Sequence, residues 1–143
     1  MLNIWLYSFI QLLIKGGDKS RIIKIMEKVI VYLINKYGDI NIFFNKIAKN
    51  LLIRVACYSK KIGGKKVLIP YLVKSKKSIY YSVKLIIKSI NMRSEYNLHD
   101  RIKNELIDVY TNKGFSIQQR LNIIKMVESN YVNSRYSGKK KKK

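Results

Sequence analysis

Apolar residues recur every three or four positions over most of this chain, a spacing that predicts amphipathic helices. Glycines and capping residues divide the pattern into six predicted helices, at 2–14, about 18–36, about 39–51, 78–92, about 98–112 and from 116 onwards. Gly38 is expected to end the second helix and Gly114 the fifth, because glycine readily adopts the positive φ found at many helix ends. The pattern therefore predicts a mainly α fold.

The fourth predicted helix divides most clearly into two faces. Its apolar face comprises Ile79, Val83, Ile86, Ile87 and Ile90. Its other face carries, at spacings of four, three and four residues, Lys77, Tyr81, Lys84 and Lys88. These last four residues, termed the lysine stripe, form a continuous basic surface that contains one aromatic ring.

The sixth predicted helix begins with the sequence Ser116-Ile117-Gln118-Gln119, which matches a capping box. In that motif a serine side chain closes the first turn of the helix. The periodicity that follows predicts four inward-facing residues, namely Ile117, Leu121, Ile124 and Val127.

Between the third and fourth helices the pattern changes to that of β-strands. Residues 53–59 and 67–73 are rich in β-forming residues, and Gly63-Gly64 supplies the positive φ that a hairpin turn needs. The segment between the strands carries four lysines, so it is expected to project from the core; they are Lys60, Lys61, Lys65 and Lys66. Pro70 fits a two-stranded ribbon, because each strand there has an unpaired edge.

The predicted architecture is thus a bundle of about six helices with one projecting β-hairpin. We expect residues 1–136 to form a single domain, with the hairpin at about 53–73. Residues 137–143, which include five consecutive lysines, are expected to form a basic tail.

Net charge restricts the possible functions more than any other property of the composition. The chain has 30 Lys and Arg against 8 Asp and Glu, a net charge of +22, while 48% hydrophobic residues suffice for a core. Such a charge opposes compaction unless a polyanion neutralises it, and nucleic acid is the leading candidate. Lysines outnumber arginines 24 to 6, which favours contacts to phosphates and recognition of folded RNA by its shape.

The residues give little support to catalysis or metal binding. Cys57 and His99 are the only cysteine and histidine, so neither an intrachain disulfide nor a four-ligand zinc site can form, and we expect no metal or cofactor. Glu105 and Asp108 share a helix face, but they are more simply explained as partners of Arg101 or of nearby lysines. We therefore predict no catalytic residues and no enzymatic activity.

The apolar start of the chain is expected to be a core helix. It is too short to span a bilayer, and it lacks the basic region and the cleavage site of a signal peptide. No later segment is apolar for long enough to cross a membrane, so we predict no membrane partner.

Two stretches follow the sequence pattern of one family. Residues 59–64 read SKKIGG and are followed, after four residues, by Ile69-Pro70. The second stretch comprises Asn104-Glu105-Leu106-Ile107-Asp108, Asn112-Lys113-Gly114, Arg120, Met126, Glu128 and Asn130. Together with the turn at 12–20, these residues resemble the family of small-ribosomal-subunit protein seven, over roughly residues 5–136.

The resemblance implies a helical protein with a projecting hairpin that binds the 3′ major domain of small-subunit rRNA and helps to nucleate assembly of the subunit head. It further implies that the exit-site tRNA, the mRNA path and other proteins of the head and platform lie nearby. The expected RNA-binding residues are Lys60, Lys61, Lys65, Lys66, Lys74, Lys76, Lys77, Lys84, Lys88, Arg120, Lys139, Lys140 and Lys141. Glu105 and Asp108 become structural residues of their helix.

The chain departs from the family pattern at both ends. The family usually has a basic arm before the first helix, whereas this sequence begins almost at that helix. The family's aromatic-rich end after the last helix is replaced here by Ser137-Gly138 and five lysines. The abundance of Ile, Lys, Asn and Tyr is typical of the AT-rich genome of an organelle or a reduced symbiont. These features suggest an organellar ribosome, with a mitochondrion favoured over a plastid.

Two other functions fit a basic folded domain. An architectural DNA-binding protein would use a basic β-ribbon in the minor groove, but it favours a wedge-type Pro or Phe where this hairpin has Ile62-Gly63-Gly64. A cationic membrane-surface protein would need a helix whose apolar face lacks packing partners, whereas six helices and a hairpin predict a closed core.

Overall fold

The computed structural model describes residues 2–14 and 17–136, and it confirms a mainly α fold with one β-hairpin. In chain order the elements are α1 (Leu2–Leu13), α2 (Lys19–Tyr37), α3 (Ile40–Leu51), β1 (Val55–Ile62), β2 (Lys65–Leu72), α4 (Ser75–Met92), α5 (Leu98–Tyr110), α6 (Phe115–Ser129) and a 3-10 helix (Tyr131–Tyr136).

The core is built from one face of each of the first five helices, together with Ile117 of α6. α1 packs against α4, and α5 packs against α2, α3 and α4. Aromatic rings fill much of the space: Trp5 stacks on Phe9 at 5.5 Å between centroids, and Phe43 stacks on Tyr110 at 4.7 Å. Each fully buried side chain of this size contributes about 1.5–3 kcal/mol, so the bundle provides a stable base for the hairpin.

The turn between α2 and α3 forms as its sequence predicts. Gly38 has φ +75°, and its N–H donates to the carbonyl of Ile34 at 2.8 Å. Asp39 then caps α3, since its carboxylate accepts the N–H of Asn41 at 2.7 Å. The two helices are thereby joined by a short connection with satisfied backbone groups.

The hairpin is antiparallel, and its tip is the two-residue turn Gly63-Gly64, with φ of +55° and +81°. Ile62 pairs with Lys65, so both strands are longer at the tip than the predicted 53–59 and 67–73. The four hairpin lysines therefore lie in paired strands rather than in a loop. The base of the hairpin packs against α6 and the 3-10 helix, where the Asn133 side chain donates to the Leu68 carbonyl at 3.1 Å.

The start of α6 differs from its prediction. The helix begins at Phe115, one residue before the expected cap, and Gly114 occupies the N-cap position with φ +89°. Ser116 does not cap the helix: it is buried, and its hydroxyl donates to Glu105. Leu121, expected to face inward, is 45% exposed.

Arg93 connects α4 to α5 through a cluster of ion pairs. The sequence predicts other partners for the two acids that α5 contributes to this cluster. The Nη1 atom of Arg93 lies 2.8 Å from Glu105 and 2.7 Å from Asp108, and its Nε lies 2.9 Å from Glu95. The expected partner, Arg101, instead donates to the backbone carbonyl of Tyr96. Glu105 is only 1% exposed, so removing Arg93 would leave a buried carboxylate without its ionic partner and would destabilise the fold.

Candidate nucleic-acid interface

Positive charge without acidic partners is concentrated in one continuous part of the chain. No Asp or Glu occurs between Asp39 and Glu95, whereas twelve lysines and arginines lie from Lys46 to Lys88. Among the described residues, every ion pair uses a cation outside this interval. The end of α3, the hairpin and most of α4 therefore present positive charge that the protein itself does not neutralise.

The lysine stripe follows one side of α4. Lys77, Lys84 and Lys88 are exposed and Tyr81 is half-buried. The ammonium group of Lys77 lies 5.7 Å from the centroid of the Tyr81 ring and 5.8 Å from that of Tyr71, within cation–π range. The stripe thus combines three accessible cations with an aromatic ring.

The N-terminus of α4 adds further positive charge. Lys74 is the N-cap residue, Lys76 and Lys77 lie in the first turn, and that turn contains no acidic residue. Helices ordinarily favour acidic residues there, because unpaired backbone N–H groups make the N-terminus electropositive. Lysines at this position are unfavourable alone but favourable beside a bound phosphate, which both the amides and the ammonium groups attract.

Tyr71 and Tyr81 connect the hairpin to the lysine stripe. Their hydroxyl oxygens lie 3.3 Å apart. This hydrogen bond, together with burial, raises the pKa of Tyr71 to about 12. The same hydrogen bond lowers the pKa of Tyr81, and nearby Lys77 and Lys84 lower it further. The two hydroxyl groups therefore share one hydrogen bond, and Lys77 and Lys84 stabilise negative charge on the Tyr81 oxygen.

The hairpin lysines are distributed over both faces of the ribbon. Lys61 and Lys66 are direct cross-strand partners and share one face. Lys60 and Lys65 lie on the other face, since side chains alternate along a strand. Like charges directly opposite each other destabilise a strand pair, so the tip favours an environment that supplies negative charge.

Arg120 lies on the hairpin-facing side of α6, beside two further cations that the family pattern does not include. Its Nε donates to the carbonyl of Leu52 at 3.3 Å, and the side chain is partly buried. With Lys49 and Arg54 it lines a groove of about 350 Å³ at the start of β1. The absence of acids from residues 40–94 is the sequence signal that would have identified Lys49 and Arg54.

The remaining expected site residues, Lys139, Lys140 and Lys141, lie outside the described residues. Within residues 2–14 and 17–136, no three His, Cys, Asp or Glu side chains are grouped as a metal site would require. None of the helices in these ranges is sufficiently long and apolar to cross a bilayer.

Comparison with known proteins identifies one family. The family described as "Ribosomal protein S7p/S5e" matches residues 3–131. The mitochondrial small ribosomal subunit protein uS7m of Reclinomonas americana is 30% identical over 92% of this chain and 83% of its own length. The uS7 proteins of Sulfurovum sp. (strain NBC37-1), 27% identical over 92% and 85%, and Carsonella ruddii (strain PV), 30% identical over 90% and 83%, are similar over comparable lengths.

Proposed function

Because the chain belongs to the ribosomal protein S7p/S5e family, we propose that it binds small-subunit rRNA through its hairpin, α4 and the start of β1. Family membership makes it a structural ribosomal protein rather than an enzyme. The observation that carries the proposed RNA-binding surface is the set of twelve cations between residues 46 and 88, all exposed except the half-buried Lys60, in an interval that contains no acid.

The proposed mechanism of binding is electrostatic and geometric. Lysines on the hairpin, at the N-terminus of α4 and along the lysine stripe contact phosphates and release counterions from the RNA. Because these cations are held on several packed elements, they match the phosphate positions of a folded RNA rather than of any flexible polyanion. No bond in the RNA is made or broken.

The finer assignment follows the family pattern in the hairpin and the last two helices. We propose that the RNA is the 3′ major domain of small-subunit rRNA and that binding helps to nucleate assembly of the subunit head. The hairpin would then lie near the exit-site tRNA and the mRNA path, with other head and platform proteins as neighbours. Lys139, Lys140 and Lys141 would extend the contact along phosphates.

The proposed location is the ribosome of an organelle, with a mitochondrion favoured over a plastid. The abundance of Ile, Lys, Asn and Tyr and the mitochondrial relative support this location. The bacterial protein of Carsonella ruddii is equally similar, at 30% identity. Mass spectrometry of ribosomes purified from each cell compartment tests the location directly, and a protein found only in a plastid or non-organellar ribosome would contradict it.

The RNA-binding surface is tested by replacing Lys77, Lys84 and Lys88 together with Gln. We expect the affinity for the rRNA 3′ major domain to fall about tenfold or more at roughly 0.3 M salt, because phosphate contacts are lost. The slope of log affinity against log salt should decrease by about one for each contact. Melting temperature should change little, since these side chains are exposed.

The matched control replaces Lys24, Lys28 and Lys113, which are also exposed but lie outside the interval without acids. It removes the same charge, so a general loss of attraction would affect both variants equally. An equal loss of affinity in the two variants would contradict a surface localised on α4.

A further inference from the structure

A groove between β1, α4 and α6 lies directly beside the lysine stripe. It has a volume of about 350 Å³, within the range of small-ligand sites. Its apolar lining includes Ala56 and Cys57 from β1, Leu85 from α4, and Ile123 and Met126 from α6. Met126 is 46% exposed and the other four are partly buried, so the apolar surface faces solvent.

The rim of this groove is basic and carries one aromatic side chain. Lys84 and Lys88, one helical turn apart on α4, line it together with Tyr81. The hydrogen bond to Tyr71 restrains the Tyr81 hydroxyl at the edge of the groove. No carboxylate lines the groove. A ligand that complements this groove therefore has an apolar part with an anionic group attached to it.

A nucleotide has these two parts. The faces of a base are apolar and stack on aromatic and aliphatic side chains, while its phosphate attracts lysine. Lys84 and Lys88 belong to both the stripe and the groove rim, so an RNA strand that follows the stripe passes the groove opening. Charge complementarity and this continuity with the proposed RNA surface favour RNA as the occupant.

We propose that the groove receives one unpaired base of the bound RNA, whose adjoining phosphate contacts Lys84 and Lys88. This proposal rests on the proposed function, because it assigns a specific contact within the same RNA complex. The base would occupy the groove that β1, α4 and α6 line. Binding would then depend on an unpaired nucleotide as well as on phosphate charge.

The first test fills the groove by replacing Cys57 with Phe, with Cys57→Ala as the matched control that leaves it open. We expect C57F to weaken binding to the rRNA 3′ major domain roughly fivefold or more, the effect of losing one stacked base. The dependence of affinity on salt should not change, because no phosphate contact is removed. C57A should weaken binding much less than C57F, because it leaves the groove open.

The second test uses Cys57 as a reporter, since it is the only cysteine in the chain. Burial raises the pKa of its thiol, so alkylation by iodoacetamide is followed at a pH of about 8.5, where more thiolate forms. We expect bound rRNA to slow alkylation and short-wave ultraviolet light to crosslink a nucleotide to the peptide containing Cys57 or Met126. This test does not require a variant to fold.

The outcomes separate this proposal from the proposed function. Selective rRNA binding by the wild-type protein, without protection or crosslinking of the groove, would overturn the base contact alone. Protection by anionic vesicles instead of RNA would also overturn it. Failure of the wild-type protein to prefer rRNA over other polyanions would contradict the proposed function itself.

Discussion

At the scale of single residues, Gly114 occupies a position that requires glycine for two separate reasons. Its φ of +89° is strained for any residue with a Cβ atom. A Cβ built there would also lie 3.0 Å from the Cβ of Asp108, which is tighter than ordinary contact. The sequence predicts that Gly114 ends the fifth helix. In the structure Gly114 instead directly precedes α6, and Asn112 is the residue with positive φ after α5.

Replacing Gly114 with Val should lower the free energy of unfolding by about 1 kcal/mol or more, since strain and crowding add. The comparison of Gly114→Ala with Gly17→Ala separates the two causes. Gly17 has a similar φ of +87° but nothing within 4 Å of a Cβ. Urea unfolding should show the larger loss at Gly114, and equal losses would mean that contact with Asp108 has no cost.

Among the properties of single residues, the choice of ion-pair partner was the hardest to predict from the sequence. The sequence correctly predicts that Glu105 and Asp108 form structural ion pairs. The predicted partners are Arg101 or nearby lysines, whereas the observed partner is Arg93. The choice depends on the path of the chain between α4 and α5, which helical periodicity does not determine. Burial alone would lower the pKa of Arg93, but its hydrogen bonds to Asp108, Glu105 and Glu95 outweigh this and raise it.

At the scale of elements, the hairpin was predictable because its turn has a specific sequence. Gly63-Gly64 fixes a two-residue turn, and the turn fixes the register that places Lys61 opposite Lys66. The strand lengths were not predictable, since lysine is a poor β-former and its pairing here depends on the turn. Even so, the distribution of lysines over both faces follows directly once the register is known.

Changing Lys60, Lys61, Lys65 and Lys66 together to Gln should leave the fold intact and weaken RNA binding. Two double variants with equal charge loss refine this prediction. K61Q/K66Q removes a directly opposed pair of like charges, so it should stabilise the free protein by about 0.2–1 kcal/mol. K60Q/K65Q removes no directly opposed pair of like charges, because Lys60 pairs with Val67 and Lys65 with Ile62. It therefore serves as the control in thermal unfolding.

RNA affinities of the same hairpin variants test their role in the interface. The quadruple variant should bind rRNA more weakly than either double variant at moderate salt. Unchanged affinity of the quadruple variant would remove the hairpin from the RNA-binding surface, whatever its effect on stability.

α6 shows why the periodicity of one helix is insufficient to place its side chains. Ser116 is expected to cap the helix, but it is buried. Glu105 accepts its hydroxyl hydrogen, and the Ser89 hydroxyl lies 2.8 Å away. Leu121, by contrast, is exposed. The position of Ser116 depends on its contacts with α4 and α5, and the groove beside α6 depends likewise on the packing of three elements.

At the scale of the whole molecule, the charges are segregated. Five of the eight acids lie between Glu95 and Glu128, and three of these surround Arg93. The hairpin and most of α4 have no such compensation. A bound polyanion would therefore relieve repulsion within the protein, and any ligand that binds only the folded state also stabilises it by mass action.

The most direct test of a shape-specific rRNA protein is competitive binding at roughly 0.3 M salt, which suppresses much of the non-specific attraction to phosphate. The labelled ligand is the small-subunit rRNA 3′ major domain, and the competitors are an unrelated structured RNA, duplex DNA and anionic vesicles. We predict that only the unlabelled rRNA domain competes efficiently. Equal competition by all four would contradict the account and indicate a general polycation.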